Sequence, residues 1–202
     1  MPKPKRSNLL TLAVLSLLTE SPMHPYEIGV VMKQRGLSDT IKLNTGSLYA
    51  VIDQLIKNGL IETVETVKEG KHPERTIYRP TAMGRDEFFD WLRSLIKTPA
   101  KEYRQFAAGL SFLGHLSPKE TCDLLRKRSK TLERQIEQTR SSMNDTLQMG
   151  IHRLFLVETD YELTLLATEL KWIDQLIYDI ENIPLADHSG EKWNLTVKYE
   201  GK

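Results

Sequence analysis

Hydrogen-bonding side chains recur along one side of a segment that begins near Lys42 and ends at Gly59. Hydroxyl, phenol, amide and ammonium groups of this kind donate to and accept from phosphates and the edges of bases. The residues that carry them are Thr45, Ser47, Tyr49, Asp53, Gln54 and Lys57. An ordinary solvated helix face has a similar composition, so this pattern alone leaves both interpretations open.

Capping and stop signals predict that these side chains lie on a helix that begins at Asn44 or Thr45 and ends at Gly59. Its apolar residues recur at helical spacing and predict one buried face, which leaves the polar side exposed. They are Leu48, Val51, Ile52, Leu55 and Ile56.

Two further helices are predicted before this one, and a β-hairpin after it. The first helix is rich in leucine and is broken at Pro22, and the second runs from His24 to Gly36. Residues 61–67 and 75–79 alternate as strands do, and a polar loop joins them. This order is typical of a winged helix-turn-helix, in which the third helix enters the major groove of DNA and the wing reaches the adjacent backbone. The predicted fold is mainly α, with three helices and a hairpin wing followed by a helical dimerisation domain.

Several short segments occur in a fixed order within roughly residues 7 to 95. They are Leu12-Ala13-Val14-Leu15, His24-Pro25-Tyr26-Glu27-Ile28, Gly46-Ser47-Leu48-Tyr49, Leu55-Ile56-Lys57-Asn58-Gly59-Leu60-Ile61 and Tyr78-Arg79-Pro80-Thr81-Ala82-Met83-Gly84-Arg85. Together they resemble the PadR family of transcriptional regulators, and the long C-terminal part resembles the long-tailed branch. The resemblance implies a homodimeric, ligand-responsive repressor that binds double-stranded DNA at a palindromic operator.

The predicted DNA contacts lie on the second helix, on the third helix and in the wing. The resemblance implies that the operator faces Thr45, Gly46, Ser47 and Tyr49, with Gly46 allowing close approach of the backbone. Neighbouring polar positions add Lys42 and Asn44 at the start of the third helix, Gln54 within it and Tyr26 on the second helix. Charge and position alone add the wing residues Lys71, His72 and Arg75.

The segment Lys97-Thr98-Pro99 marks the predicted end of the DNA-binding domain, which is assigned to residues 1–97. Residues 98–183 are assigned to the dimerisation domain, and residues 184–202 to a tail in which residues 193–199 alternate as a docked extended strand would. Within the dimerisation domain, a first helix is predicted directly after Thr98-Pro99. Two long helices are predicted after this first helix.

The first long helix begins at Ser117-Pro118 and runs to about Met149, and the second runs from Ile151 to about Glu181. The second is apolar on two sides, so a symmetry-related copy is predicted to cover one of them. The alternative cover, the winged domain of the same chain, stays open. The predicted dimerisation residues are Leu125, Leu132, Ile136, Met143, Leu166, Leu170, Ile173 and Ile177.

A small aromatic effector is a further predicted partner. Some members of the family respond to phenolic acids or flat hydrophobic drugs, and four aromatic side chains are placed where such a compound would lodge between the DNA-binding and dimerisation domains. They are Trp91, Phe155, Tyr161 and Trp172. Aromatic residues at helical spacing also fill cores, which is the competing interpretation.

Charge and cysteine content narrow the class of protein. Residues 1–100 carry 14 Lys and Arg against 11 Asp and Glu, and the remainder carries 14 against 16, so the small basic excess lies with the predicted DNA-binding domain. The lone Cys122 excludes an intramolecular disulfide and favours the cytoplasm, and no membrane segment is predicted. The five histidines are scattered, so no catalytic or metal site and no cofactor is predicted. Two alternative functions stay open: a winged-helix protein-interaction module without DNA affinity, and a sensor of small aromatic ligands.

Overall fold

The computed structural model describes residues 8–67, 75–182 and 191–193. The chain divides into two compact units, Met1–Glu102 and Tyr103–Lys202. Each unit has its own hydrophobic core, so each is treated separately below.

The N-terminal unit is a winged helix-turn-helix. Its elements are α1 (Leu9–Glu20), α2 (Pro25–Gln34), α3 (Leu37–Thr40), α4 (Thr45–Lys57), β1 (Ile61–Val67), β2 (Arg75–Pro80) and α5 (Ala82–Lys97). The sequence predicted three of the four helices that precede the hairpin, and the one-turn helix α3 was missed. A four-residue helix is too short to have a periodic pattern, which explains the omission.

Helix α1 is the centre of the N-terminal core. Asn8 caps it by accepting a hydrogen bond from the Leu10 N–H at 3.1 Å. Leucines are buried on more than one side of the helix because α4, α5 and β2 all pack against it. The buried α1 residues are Leu10, Ala13, Val14, Leu15, Leu17 and Leu18. This central helix therefore fixes the position of α4.

The two strands form an antiparallel hairpin in which Ile61 pairs with Pro80 and Glu62 with Arg79. The register shifts between Thr63 and Glu65, which is a β-bulge. Backbone hydrogen bonds of 3.1 Å in both directions join Tyr78 to Met23, which lies between α1 and α2. The base of the wing is therefore held against the helical core.

The C-terminal unit is built on a pair of long helices. Its elements are α6 (Gln105–Leu110), α7 (Pro118–Gln148) and α8 (Val157–Asn182), with 3-10 turns at Leu113–His115 and Arg153–Leu156. The helix predicted after Thr98-Pro99 is thus limited to α6 and a turn. The last helix begins six residues later than predicted, because residues 153–156 form the 3-10 turn.

Helices α7 and α8 pack against each other around Leu125, Leu132 and Ile173. Arg128 adds an ion pair to Glu169 at 2.6 Å, and its guanidinium lies 3.9 Å from the centre of the Phe106 ring. One residue beyond α8 joins this core, because the Trp193 indole N–H donates to the Leu116 carbonyl at 2.8 Å. The rest of the predicted tail strand lies outside the described residues.

Gly84, in the first turn of α5, packs closely against the backbone of Leu60. A Cβ at this position would lie 1.9 Å from the Leu60 carbonyl oxygen, which is backbone and cannot turn away. We therefore expect Gly84→Ala to lower the free energy of unfolding by about 3 kcal/mol, as measured by urea denaturation.

Gly109→Ala is the matched control, because nothing lies within 4 Å of a Cβ built at Gly109. Since alanine is a better helix former than glycine, this substitution is expected to be neutral or to stabilise by up to about 1 kcal/mol. Equal free energies of unfolding for Gly84→Ala and Gly109→Ala would contradict the close contact described between Gly84 and the Leu60 carbonyl.

Candidate nucleic-acid interface

Helix α4 has one buried and one exposed face. The buried face consists of Leu48, Val51, Ile52 and Leu55, each at most 3 % exposed. Ile56 was predicted to join them and is instead 42 % exposed, because it lies at the edge of the apolar stripe and turns away from α1. The side chains that the sequence assigned to the polar face are exposed or half-buried.

The start of α4 is closed by its own cap. Asn44 is in an extended conformation, and its side-chain oxygen accepts a hydrogen bond from the Ser47 N–H at 2.7 Å. This bond uses an N–H group that the first turn leaves without an intrahelical acceptor. Thr45 and Gly46 in this first turn remain exposed, as does Tyr49 just after it, which is 44 % exposed. The predicted contacts at the start of the helix therefore share one accessible surface.

A depression of about 210 Å³ lies between α2 and the start of α4. It brings Tyr26 together with Asn44, Thr45 and Tyr49, four of the predicted DNA contacts. Its floor is apolar and includes Val30, Leu43 and Leu48. We call this surface the α2–α4 depression. It combines phenol and hydroxyl groups from two helices.

The other predicted contacts that the structure describes do not line this depression. Lys42 and Gln54 are exposed, the former before α4 and the latter in its second half. Arg75 begins β2, while Lys71 and His72 lie outside the described residues. The structure adds one residue that the sequence reasoning missed, because Lys33 of α2 also lines the depression.

Two histidines act as helix caps. Nδ1 of His24 accepts a hydrogen bond from the Tyr26 N–H at 3.1 Å, and Glu27 completes a capping box with the His24 backbone. His152 caps the 3-10 turn before α8 in the same way. Burial raises the pKa of the Cys122 thiol, which keeps it protonated and a poor nucleophile. These residues therefore have structural roles.

In the described part of the chain, no cluster of His, Cys, Asp or Glu is arranged to hold a metal ion. Nor does any described helix have the length and apolar character needed to cross a membrane.

The residues predicted for dimerisation lie on α7 and α8. Leu125, Leu132 and Ile173 are buried in the C-terminal core, and Leu166, Leu170 and Ile177 pack against them. Ile136 is buried and Met143 is half-buried. Because α7 and α8 cover most of these side chains within one chain, their contact with a second copy stays a prediction.

The four aromatic residues predicted for an effector differ in exposure. Trp91 is buried in the N-terminal unit, whereas Phe155, Tyr161 and Trp172 are exposed on the C-terminal unit. Only Trp172 has a described aromatic neighbour, Phe106, at 6.2 Å between ring centres. A shared ligand site for the four stays a prediction.

Comparison with known proteins finds one matching family model. Residues 14–90 match the transcriptional regulator PadR-like family. The matched segment extends from α1 into α5, so the winged unit of this chain is similar to that of PadR-like transcriptional regulators. No curated protein matches the sequence.

Solved structures agree with the PadR-like fold. Bacillus subtilis PadR in complex with operator DNA is 21 % identical, with a TM-score of 0.68 over 86 % of this chain and 99 % of that one. B. subtilis PadR in complex with p-coumaric acid is 20 % identical, with a TM-score of 0.67 over the same shares. The PadR-like regulator BC1756 from Bacillus cereus is 19 % identical, with a TM-score of 0.57 over 85 % of this chain and 98 % of that one. These structures share the winged unit and the long C-terminal helices.

Proposed function

We propose that the chain is a cytoplasmic repressor that binds a palindromic operator as a homodimer. The observation that carries this proposal is the exposed start of α4, where polar side chains of α2 and α4 meet in the α2–α4 depression. The B. subtilis PadR structure of the same fold contains operator DNA. In such a complex the two copies of α4 would enter major grooves about one helical turn apart.

Each part of this surface has a chemical role in the proposed complex. The side chains of Thr45 and Tyr49 reach base edges from the first turns of α4. Tyr26 and the wing bind phosphates and so fix the register of the helix on the duplex. Gly46 lets the backbone approach DNA closely, because it has no side chain and is exposed at the start of α4.

The DNA-binding proposal is tested by fluorescence anisotropy with duplexes that tile the DNA upstream of the chain's own gene. We expect one palindromic duplex to bind at least about 10³-fold more tightly than random DNA, with affinity falling steeply as salt rises. Tyr49→Ala is expected to weaken operator binding by about 1 to 3 kcal/mol if the phenol reaches a base edge.

Gly46→Ala separates binding from folding in the same assay. The nearest atom to its new Cβ is Asn44 Oδ1 at 3.7 Å, so the variant is expected to keep the wild-type free energy of unfolding while losing operator affinity. Equal and salt-insensitive binding of wild-type protein to operator and random DNA would favour the alternative, a protein-interaction module.

The proposed dimer contact is a groove of about 640 Å³ between α7 and α8. Two predicted dimerisation residues, Ile136 and Leu170, line it. Its walls also carry charges of both signs that make no ion pair within the described chain: Glu133, Glu137, Arg140 and Lys171. A two-fold interface joins a surface to itself, so a surface with both signs of charge suits this symmetry.

A pair of tyrosines on α8 tests the dimer contact. Tyr178 lines the groove and Tyr161 does not, yet both are 58 % exposed. Tyr178→Glu is expected to shift the mass measured by light scattering from dimer towards monomer, whereas Tyr161→Glu is expected to stay dimeric. A monomeric wild-type protein, or dissociation caused by Tyr161→Glu alone, would contradict the proposed contact.

An aromatic acid is the second proposed ligand, because Trp172 is 47 % exposed beside Phe106 and Arg128. B. subtilis PadR has been solved with p-coumaric acid. A compound that favours a form unable to bind the operator weakens operator binding by a certain factor. By linkage, the operator must weaken binding of the compound by the same factor. We expect p-coumaric acid to quench tryptophan fluorescence. Saturating operator is expected to raise the concentration of p-coumaric acid that gives half-maximal quenching. Quenching that is absent, or unchanged by operator or by Trp172→Phe, would contradict this proposal.

A further inference from the structure

Lys33 lies on the same face of α2 as Tyr26, since the two positions are seven residues, or about two helical turns, apart. Both line the α2–α4 depression together with Thr45 and Tyr49 of α4. Lys33 is the one cation among the described residues that line this depression, and none of those residues is a carboxylate. The ammonium group therefore adds positive charge to a surface of hydroxyl groups.

Arg35, the cation that follows Lys33 most closely along the chain, is paired with a carboxylate. Arg35, just after α2, donates a hydrogen bond to Glu20 at 2.7 Å, and this pairing holds the pKa of the Glu20 carboxyl below its ordinary value. Glu27, the acidic residue of α2, is occupied in the capping box with His24. By contrast, Lys33 makes no side-chain hydrogen bond or ion pair within the described ranges. Of these two cations, Lys33 alone is available to an external anion.

We propose that Lys33 binds a backbone phosphate of the operator from the α2–α4 depression. The proposal rests on the proposed DNA-binding function and assigns it a residue that the sequence pattern did not indicate. An ammonium group is a compact point charge that suits a phosphate oxygen and reads no base sequence. The apolar floor of the depression lies beside it, where the sugar attached to that phosphate is accommodated. Lys33 is thus a positioning contact, whereas Thr45 and Tyr49 supply the sequence readout.

Lys33→Gln and Arg35→Gln form a matched pair, because each removes one positive charge from the same short stretch of chain. The full-length variants are titrated with operator and random duplexes between 50 and 200 mM salt. In Lys33→Gln, the negative slope of log affinity against log salt is expected to become less steep. The change is about 0.9 for each lost phosphate contact, or about 2 for a dimer that loses two. The ratio of the affinities at 50 and 200 mM salt then shrinks about twelvefold. Operator and random DNA are expected to be affected alike.

Arg35→Gln is expected to keep the wild-type slope, and Lys33→Arg to restore it. A wild-type slope in Lys33→Gln overturns the inference, as does an equal loss in both Gln variants, which would indicate a long-range effect of net charge. In either case, tight salt-dependent binding by the wild-type protein would leave the proposed function intact. Salt-insensitive binding by the wild-type protein would instead overturn the proposed function together with this inference.

Discussion

The burial of one face of α4 against α1 is the constraint on which the rest of the N-terminal unit depends. Leu48, Val51, Ile52 and Leu55 are nearly inaccessible to solvent, and each fully buried side chain of this type contributes about 1.5 to 3 kcal/mol. Rotating the helix would expose several of them at once. The burial of this face therefore turns the opposite face outward, and the exposed polar groups there are available to a partner.

The surrounding elements complete this arrangement with local interactions. Asn44 fixes the first turn of α4, and His24 with Glu27 fixes the first turn of α2, so the two helix starts that border the depression are both capped. The backbone pairing of Met23 with Tyr78 holds the wing beside them. Caps of this kind contribute about 1 kcal/mol each. Their importance here is that they position the starts of both helices.

Sequence periodicity predicted the features of the fold that depend on residues close together along the chain. It predicted β1 at its observed bounds and the buried face of α4 except for Ile56, whose exposure depends on the packing of α1. The short helix α3 and the 3-10 turn before α8 are too brief to leave a periodic signal. Lys33 was missed because its relation to Thr45 and Tyr49 arises only when α2 and α4 pack together. The pairing of Leu125 and Leu132 with α8 likewise depends on tertiary packing.

Amide chemical-shift mapping of the full-length protein during titration with its operator duplex tests the central claim most directly. The account predicts that the largest changes occur at residues 44–49 of α4 and along the Tyr26 to Lys33 face of α2, with a smaller response in β1 and β2. It also predicts that random duplex at high salt produces none of these changes. Changes confined to α7 and α8, with the start of α4 unaffected by saturating operator, would contradict the claim that this face of the winged unit binds DNA.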